Sequence, residues 1–554
     1  MDESASTRDA MKPRANPRGT RGPARLLAVA AAVAALGLVG HLSLFSLWST
    51  NPDGLWAGGG YLTYEFTRWT LSLGRWSLFF VNLLRGGVST PPLVAAVSIA
   101  LFSAGAVLFA RSLGVARRGA LAACAAAVVL SPMVGFSISY YFSADLYGWA
   151  FLASTLAIAV QMAASLPRPA RIALGVVLFA FSFGCYQSTI GVSAGLAAAV
   201  LLVRALDGRT APREWGRLTA DFLLVGALGA VLYVAVTLSW QRLAGVALSS
   251  YGGASSISVS SILSSLPDTL PGTLRAWKGF LFGSATFGNH FGTPAASAAL
   301  LLLGACAYLA LLWRSRREPW RVAAAVGMAA LLPFASGVIC IVVPGTELKS
   351  LMAGGFVAMS ALPCALAAQL ARGIAPGEPA RGGRFSPRTA AAPRAVGALL
   401  ALSIACTAAL GWTYTLQMNY DAGAMHEIDE RTVSLANRIA SRLEDDPDVL
   451  AGSPVLIAGV PERGSYPVDP ALAGKASHYA LWGLFWPSYD SSWASWRYIF
   501  EFRVGTAVEW ATLEQYRSVC SGEEFASMPA YPAEGSVAKV DGVVVVKVSG
   551  TDGF

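Results

Sequence analysis

Eleven apolar stretches constrain this chain more than any motif it carries. The first runs from Leu26 to about Trp48, and others follow at roughly 92–110, 119–140, 146–164, 172–185, 188–203, 218–240, 295–313, 321–343, 350–371 and 395–413. Most approach the ~20 residues needed to cross a ~30 Å hydrocarbon layer. Charged residues are 13% of the chain and mean hydropathy is +0.53, where soluble domains carry about 25% charged residues. A water-soluble fold does not suit these values. The expected fold class is a polytopic α-helical membrane protein with about 11 membrane helices.

The flanking charges give the order of crossing. Arg111, Arg117 and Arg118 fall on one side, as do Arg168 with Arg171, then Arg204, Arg209, Arg213 and Arg217, then Arg314, Arg316, Arg317 and Arg321, then the basic stretch 372–394. By the positive-inside rule these loops face the cytoplasm. The segments 49–91, 141–145, 241–294 and 344–349 then face outward, with everything after about Trp412. The formal net charge of +9 reflects this topology, not a basic patch for nucleic acid. The basic residues before Leu26 have the charge order of a signal peptide, but the apolar run is longer than the usual ~7–15-residue core. It is read as a retained first helix with its amino end in the cytoplasm, so the expected location is the cytoplasmic membrane. Six of the seven Cys lie in apolar spans and there is no CxxC spacing, so neither a disulfide framework nor a zinc site is indicated.

Three regions follow: a basic tail over 1–24, a membrane domain over 25–413 and an outward soluble α/β domain over 414–554. In the last, Asn419 to Glu444 reads as an amphipathic helix, and Ser453 to Gly459 and Val537 to Val548 read as strands. Asp541-Gly542 between apolar runs is a hairpin signal. The stretch 373–394, rich in Pro, Gly and Arg, is a linker.

Two segments are unusual. The arms 172–185 and 188–203 would rise only ~21 and ~24 Å as helices, short of the hydrocarbon thickness. Their turn, Gly184-Cys185-Tyr186-Gln187-Ser188, is either a packing kink or a polar bend with Tyr186 and Gln187 facing a cavity, since bare backbone at that depth must be covered or line a cavity. The 49–91 loop carries Trp56, Tyr61, Tyr64, Phe66, Arg68, Trp69, Arg75, Trp76, Phe79, Phe80 and Arg85. It suits a helix lying in the headgroup region with guanidinium groups reaching phosphates. Residues 255–290 read similarly.

Outward carboxylates near the membrane are few: Asp53, Glu65, Asp145, Asp268 and Glu347. Asp145 also suits a helix cap, and Asn51-Pro52-Asp53-Gly54 has turn chemistry. Position singles out Asp53, directly after the first span, and Asp145, at the end of Tyr140-Tyr141-Phe142-Ser143-Ala144-Asp145. Among the cations, Arg75 in Gly74-Arg75-Trp76 and Lys349, two residues after Glu347, are the candidates for phosphate, although Lys349 opening an apolar span equally suits snorkelling to lipid.

Taken in order, Asn51-Pro52-Asp53, Leu73-Gly74-Arg75-Trp76, the 140–145 motif and Tyr186-Gln187-Ser188 resemble the GtrII-type glucosyltransferases, multi-pass enzymes that add glucose to bacterial surface polysaccharide such as O-antigen. The tail pattern Met528-Pro529-Ala530-Tyr531-Pro532 through Val537 and Asp541-Gly542-Val543 to Lys547 extends the resemblance over nearly the whole chain. It implies a GT-C-like fold and a donor carried as a polyprenyl-phosphate-linked sugar, with a surface polysaccharide or glycolipid as acceptor at the outer face of the bilayer. Asp53 is then the general base, Arg75 and Lys349 bind phosphate, and Asp145, Tyr186, Gln187 and Glu347 complete the substrate-binding set. Gly54 departs from the second acid expected after Asp53, so no metal ligand is assigned, and a divalent metal is left open.

Two other functions fit a polytopic chain. A lipid-linked sugar flippase or transporter calls for ionisable groups at mid-span, where each costs ~2.5–3.5 kcal/mol or more; here the acids gather at the outer mouth instead. A polysaccharide polymerase or ligase is compatible with the 241–294 loop, but not suggested by an acid directly after the first span and a soluble tail.

Overall fold

Inside hydrocarbon a helix is the one open element that satisfies all its own backbone groups, and the apolar runs of this chain fold accordingly. The structure, a computed structural model, describes residues 21–47, 52–55, 64–86, 90–249, 258–344, 348–373, 391–461, 475–477, 480, 483–485 and 489–549.

The chain opens with α1 (Arg21–Gly40) and α2 (Leu42–Leu47), then a helical turn at 52–55. Two short helices follow, α3 (Tyr64–Ser72) and α4 (Ser77–Leu84), then α5 (Pro91–Ser112), α6 (Arg118–Val129), α7 (Pro132–Ser139) and α8 (Ala144–Ala159). The bundle continues through α9 (Arg168–Cys185), α10 (Ile190–Ala205), α11 (Pro212–Ala244), α12 (Val259–Phe282), α13 (Thr293–Ser315), α14 (Pro319–Ser336), α15 (Val338–Val342) and α16 (Val357–Arg372). A helix of 54 residues, α17 (Ala391–Glu444), leads to α18 (Pro447–Leu450), β1 (Val455–Ala458), α19 (Tyr489–Ile499), α20 (Leu513–Cys520), α21 (Glu523–Ser527), β2 (Val537–Val540) and β3 (Val543–Lys547).

Among the described residues nine helices are long and apolar enough to cross a membrane, and ten if α6 and α7, bent by 45° at Pro132, make one span. The eleventh expected segment is α8, whose 16 residues continue into a 3₁₀ turn at Val160–Met162. The paired arms are longer than their apolar cores suggest. α9 begins at Arg168 and has 18 residues, because Arg168 pairs with Asp221 at 2.7 Å and Arg171 donates to the Gln161 carbonyl at 2.7 Å. These contacts let two charged residues join a helix that the hydropathy alone ends at residue 172. The second arm spans Gln187–Ala205. The two interruptions near the end of the bundle are local: α14 gives way to α15 at Gly337, four residues after Pro333, and a 3₁₀ segment, Ser350–Gly355, precedes α16.

The bundle core is continuous from α1 to α17, with Phe102, Phe109, Phe136, Phe151 and Phe356 among its fully buried side chains. α5 packs on α8, α9 on α11, α10 on α14, and α16 lies between α13 and α17. The expected boundary at residue 413 falls within α17, which runs through it without a break. Beyond α17 a three-stranded sheet forms in the order β1-β3-β2, with β1 parallel and β2 antiparallel to β3. The β2–β3 hairpin turns at Asp541 and Gly542, both at positive φ, as the Asp-Gly pair predicts. One face of the sheet packs with α17 and α19 through Ala436, Ile439, Val544 and Trp496; the other packs on α20 and α21 through Tyr516 and Phe525.

Candidate functional site

The turn between α3 and α4 is the part of the site most dependent on its sequence. Gly74 has φ +72°, and a Cβ there would run into the phenol oxygen of Tyr233. Glycine is required by both the left-handed backbone and the close approach. The carbonyls exposed by this turn are taken up by α9–α11: Gln187 donates its amide to Leu73 O at 2.5 Å and to Tyr233 Oη at 3.0 Å, and Gln241 donates to Leu71 O at 3.0 Å. On the other side Ser77 donates to Phe181 O at 2.9 Å, and Trp76 and Ser77 sit against the bare backbone of Gly184. The α3–α4 segment is thereby clamped onto the bend between the two arms.

That bend is covered by polar side chains. Thr189 Oγ1 donates to Tyr186 O at 2.7 Å, Ser182 Oγ donates to Ala150 O at 2.8 Å, and Ser182 shares hydrogen bonds with Ser154 and Thr189. Such bonds satisfy backbone that hydrocarbon would leave orphaned. The same bend brings Tyr186 into a small cavity, whose lining includes Ser137, Tyr147, Tyr186, Ser188 and Leu351. Gln187, for which the sequence left open a packing kink or a cavity-facing bend, donates to Leu73 O and Tyr233 Oη.

Arg75 and Arg85 stand at the two ends of α4. The Arg75 guanidinium lies over the Tyr186 ring, 5.2 Å from its centroid, and its buried Nε has no hydrogen-bond partner among the described residues. Tyr186 meets Tyr147 edge-on at 4.9 Å, and Tyr147 meets Tyr140 at 5.8 Å. Arg85 turns inward, although the sequence suggests that its guanidinium reaches lipid phosphate. It pairs with Asp145 at 3.4 Å and donates to Phe142 O at 2.7 Å and to the Asn82 side chain. The Asp145 side chain is only 3% exposed, and its Oδ1 accepts from no other side chain among the described residues. Sequence reasoning left Arg85 out of the site; the signal was Asp145, an acid at the head of an apolar helix that requires a cation when buried.

The 140–145 loop also reaches a second flank. Tyr141 Oη donates to Leu44 O at 3.3 Å, and burial, with the Asp429 carboxylate close by and Arg503 opposing it, holds the phenol above its ordinary pKa. Asp53 lies on that flank. Its helical turn inserts Leu55 into the cluster formed by Ala436, Ile439 and Trp496, so residues 52–55 are anchored against the C-terminal residues. Lys349 caps the 3₁₀ segment that supplies Leu351 to the cavity and packs against α7 and the Gln187–Thr189 turn. Glu347 lies outside the described residues. The structure thus brings Arg75, Tyr186 and Gln187 together with Asp145, joined through Arg85 and α4, while Lys349 stands at the head of the 3₁₀ segment that helps line the cavity and Asp53 lies in the turn whose Leu55 joins the C-terminal cluster. Among the described residues no three His, Cys, Asp or Glu side chains converge as metal ligands.

Comparison with curated proteins gives no match, and comparison with solved structures gives none. Residues 62–360, more than half of the 554-residue chain and the whole span from α3 to the 3₁₀ segment before α16, match the family model described as Glucosyl transferase GtrII; the chain belongs to this family of glucosyl transferases.

Proposed function

We propose that this glucosyltransferase moves glucose, or a related hexose, from a polyprenyl-phosphate carrier to a surface polysaccharide or glycolipid at the outer face of the cytoplasmic membrane, on a GT-C-like fold. The observation that carries the reading is the convergence of two arginines, an inward carboxylate and a stacked tyrosine at one end of the bundle, within the residues matched by the family. In the reaction, the acceptor hydroxyl oxygen bonds to the anomeric carbon as the bond from that carbon to the phosphate oxygen breaks. The hydroxyl proton passes to Asp53, and polyprenyl phosphate departs with the bonding pair. A phosphate is already a competent leaving group, so the protein has to supply a base and fixed positive charge.

Arg75 suits the phosphate because its Nε keeps an unused donor beside the Tyr186 face. Lys349 is assigned to the same phosphate, with Glu347 beside it in sequence as a substrate contact. Arg85 holds Asp145, whose buried Oδ1 accepts from no side chain among the described residues and is assigned to a sugar hydroxyl. Tyr186 offers its ring edge and hydroxyl to the sugar, and Gln187 fixes the Leu73–Arg75 turn on which Arg75 depends. Asp53 precedes the matched residues, and its role rests on its place directly after the first membrane helix and beneath the C-terminal cluster. The donor, when bound, needs no second carboxylate of the kind that hydrolases use.

The test is reconstitution of the purified protein with radiolabelled polyprenyl-phosphate glucose and a panel of surface glycans. Asp53→Asn at matched expression should lower transfer by about 10²–10⁴-fold, the usual contribution of a general base, with unchanged thermal unfolding. Transfer by Asp53→Asn at the wild-type rate would remove Asp53 from the mechanism. If the wild type consumes no donor with any acceptor and instead moves the lipid-linked sugar across vesicles, the translocation reading replaces this one.

A further inference from the structure

α3 runs antiparallel to the end of α11, and the order of their contacts sets the depth of the turn that follows. Arg68 donates to Gly245 O at 3.0 Å, Gln241 donates to Leu71 O at 3.0 Å, and Gly74 meets Tyr233 Oη and Thr237. From Gly245 back to Tyr233 is about 18 Å of helix rise. α4 then returns, with Phe79 against Trp240 at 5.2 Å between ring centroids and Arg85 on Asp145 at the head of α8. The turn therefore lies beside the apolar body of a helix long enough to cross a membrane, where Val231, Val234 and Leu238 are exposed on the surface of the bundle.

Polar groups at that level are costly unless they serve a partner or a ligand. Arg75 Nε is buried with no hydrogen-bond partner, and so is Thr237 Oγ1, one turn along α11 from Tyr233. Tyr233 Oη accepts from Gln187 Nε2 at 3.0 Å, and because the same nitrogen donates to Leu73 O, the Gln187 amide cannot be reversed to accept instead. A hydroxyl has one proton to give; that of Tyr233 points away from Gln187, and no acceptor takes it among the described residues. These groups form one cluster. Arg75 lies over the Tyr186 ring, the next residue Gln187 donates to Tyr233, and Tyr233 Oη faces Gly74, which precedes Arg75. Arg75 is near enough to act on the Tyr233 phenol electrostatically, and the phenol ring is fixed edge-on to Phe183 at 5.6 Å between centroids.

A guanidinium beside a free hydroxyl donor suits phosphate oxygens, and the exposed apolar flank of α11 suits a hydrocarbon chain attached to that phosphate. We propose that Tyr233 Oη donates a hydrogen bond to the phosphate held by Arg75, which makes Tyr233 a binding residue for a lipid-linked phosphate that arrives from the side of α11. That this ligand is the polyprenyl-phosphate donor rests on the function proposed above.

The test uses the full chain in uncharged detergent, titrated with polyprenyl phosphate, the polyprenol of the same chain length or inorganic phosphate, with bound ligand counted by native mass spectrometry. The wild type should retain polyprenyl phosphate at least about tenfold better than the polyprenol, as hydrogen bonds to a charged group provide. Tyr233→Phe keeps the ring and removes the donor; it should weaken polyprenyl phosphate binding by about tenfold and leave polyprenol retention unchanged. Arg75→Gln should abolish the preference. Wild-type retention of polyprenyl phosphate by Tyr233→Phe overturns the proposal, and so does an equal loss of polyprenol, which marks a loosened turn instead of a lost phosphate contact. Displacement of polyprenyl phosphate by inorganic phosphate at equal concentration assigns the pair to a soluble anion and overturns the lipid assignment. Neither sugar nor acceptor is present, so selective binding by a protein that transfers nothing would sink the proposed reaction and leave this site standing. Transfer by the wild type, with binding unaltered in Tyr233→Phe, would do the reverse.

Discussion

At the scale of single residues, the Arg85–Asp145 pair shows how burial turns a local feature into a structural obligation. Asp145 is almost fully inside the protein and Arg85 is its cation. Removing one partner of such a pair leaves an uncompensated charge, at a cost of about 3–5 kcal/mol. Arg85→Gln is therefore expected to lower the unfolding temperature and to reduce transfer. Arg85→Gln combined with Asp145→Asn should recover part of the stability, because the double variant buries no lone charge. Unfolding monitored by tryptophan fluorescence, with activity assayed in parallel, separates the two effects. Recovery of stability without recovery of transfer is the outcome expected if Asp145 also contacts the sugar. Arg85 was visible in the sequence as one of several arginines in an aromatic segment, but its inward direction was not. Direction depends on where α8 begins relative to α4, and no local pattern encodes that.

At the scale of elements, the α3–α4 turn carries Arg75 and is held by residues distant in sequence. Gly74→Ala would force a left-handed conformation costing about 1–2 kcal/mol and press a methyl group on Tyr233. The turn would shift, and Arg75 with it. A displacement of about 1 Å from productive geometry can lower a rate about 100-fold. The expected result is a variant that folds, retains donor binding poorly and transfers slowly, read from separate donor-binding and turnover measurements; wild-type turnover in Gly74→Ala would show that the turn does not position the reaction. The hairpin of α9 and α10 teaches a related point. Its apolar cores are short, yet the helices extend through Arg168 and Arg171 at one end because those charges find Asp221 and the Gln161 carbonyl. Hydropathy locates the middle of a membrane helix better than its ends, where paired polar residues prolong it.

At the scale of the whole molecule, α17 joins the bundle to the C-terminal residues, and Asp421 marks the join. At about 12 Å past Thr413 along a continuous helix, it lies beyond the apolar part of α17. Asp421 Oδ1 accepts from Ser477 N at 2.8 Å and from the Gln417 amide at 3.1 Å, and Gln417 in turn accepts from His290 N at 2.9 Å. Burial pushes the Asp421 carboxyl up to about 7, although these hydrogen bonds oppose the shift. An unfolded aspartate titrates near 3.9, so between about pH 4 and 7 the folded state holds a proton that the unfolded state has lost. Stability contributed by this group therefore falls as pH rises through that window and levels above it. Asp421→Asn keeps the acceptor for Ser477 and cannot ionise. Its unfolding temperature relative to wild type should rise from pH 5 to about 7 and then stay constant; parallel pH profiles for the two proteins would exclude Asp421 as the titrating group.

The sequence by itself determined that this chain is helical and apolar enough for a membrane, where most of the helices lie, that Asp541-Gly542 closes a hairpin, and which short motifs carry polar groups worth placing. These follow from composition, period and turn chemistry, which act over a few residues. Tertiary structure alone decided that Gln187 grips Leu73, that Arg85 serves Asp145, that Leu55 joins the C-terminal cluster, and that α17 crosses residue 413 unbroken. Each depends on contacts between segments far apart in the chain. Their partners are chosen by packing, by the need to satisfy buried polar groups and by the pairing of buried charge, none of which a local stretch of sequence expresses.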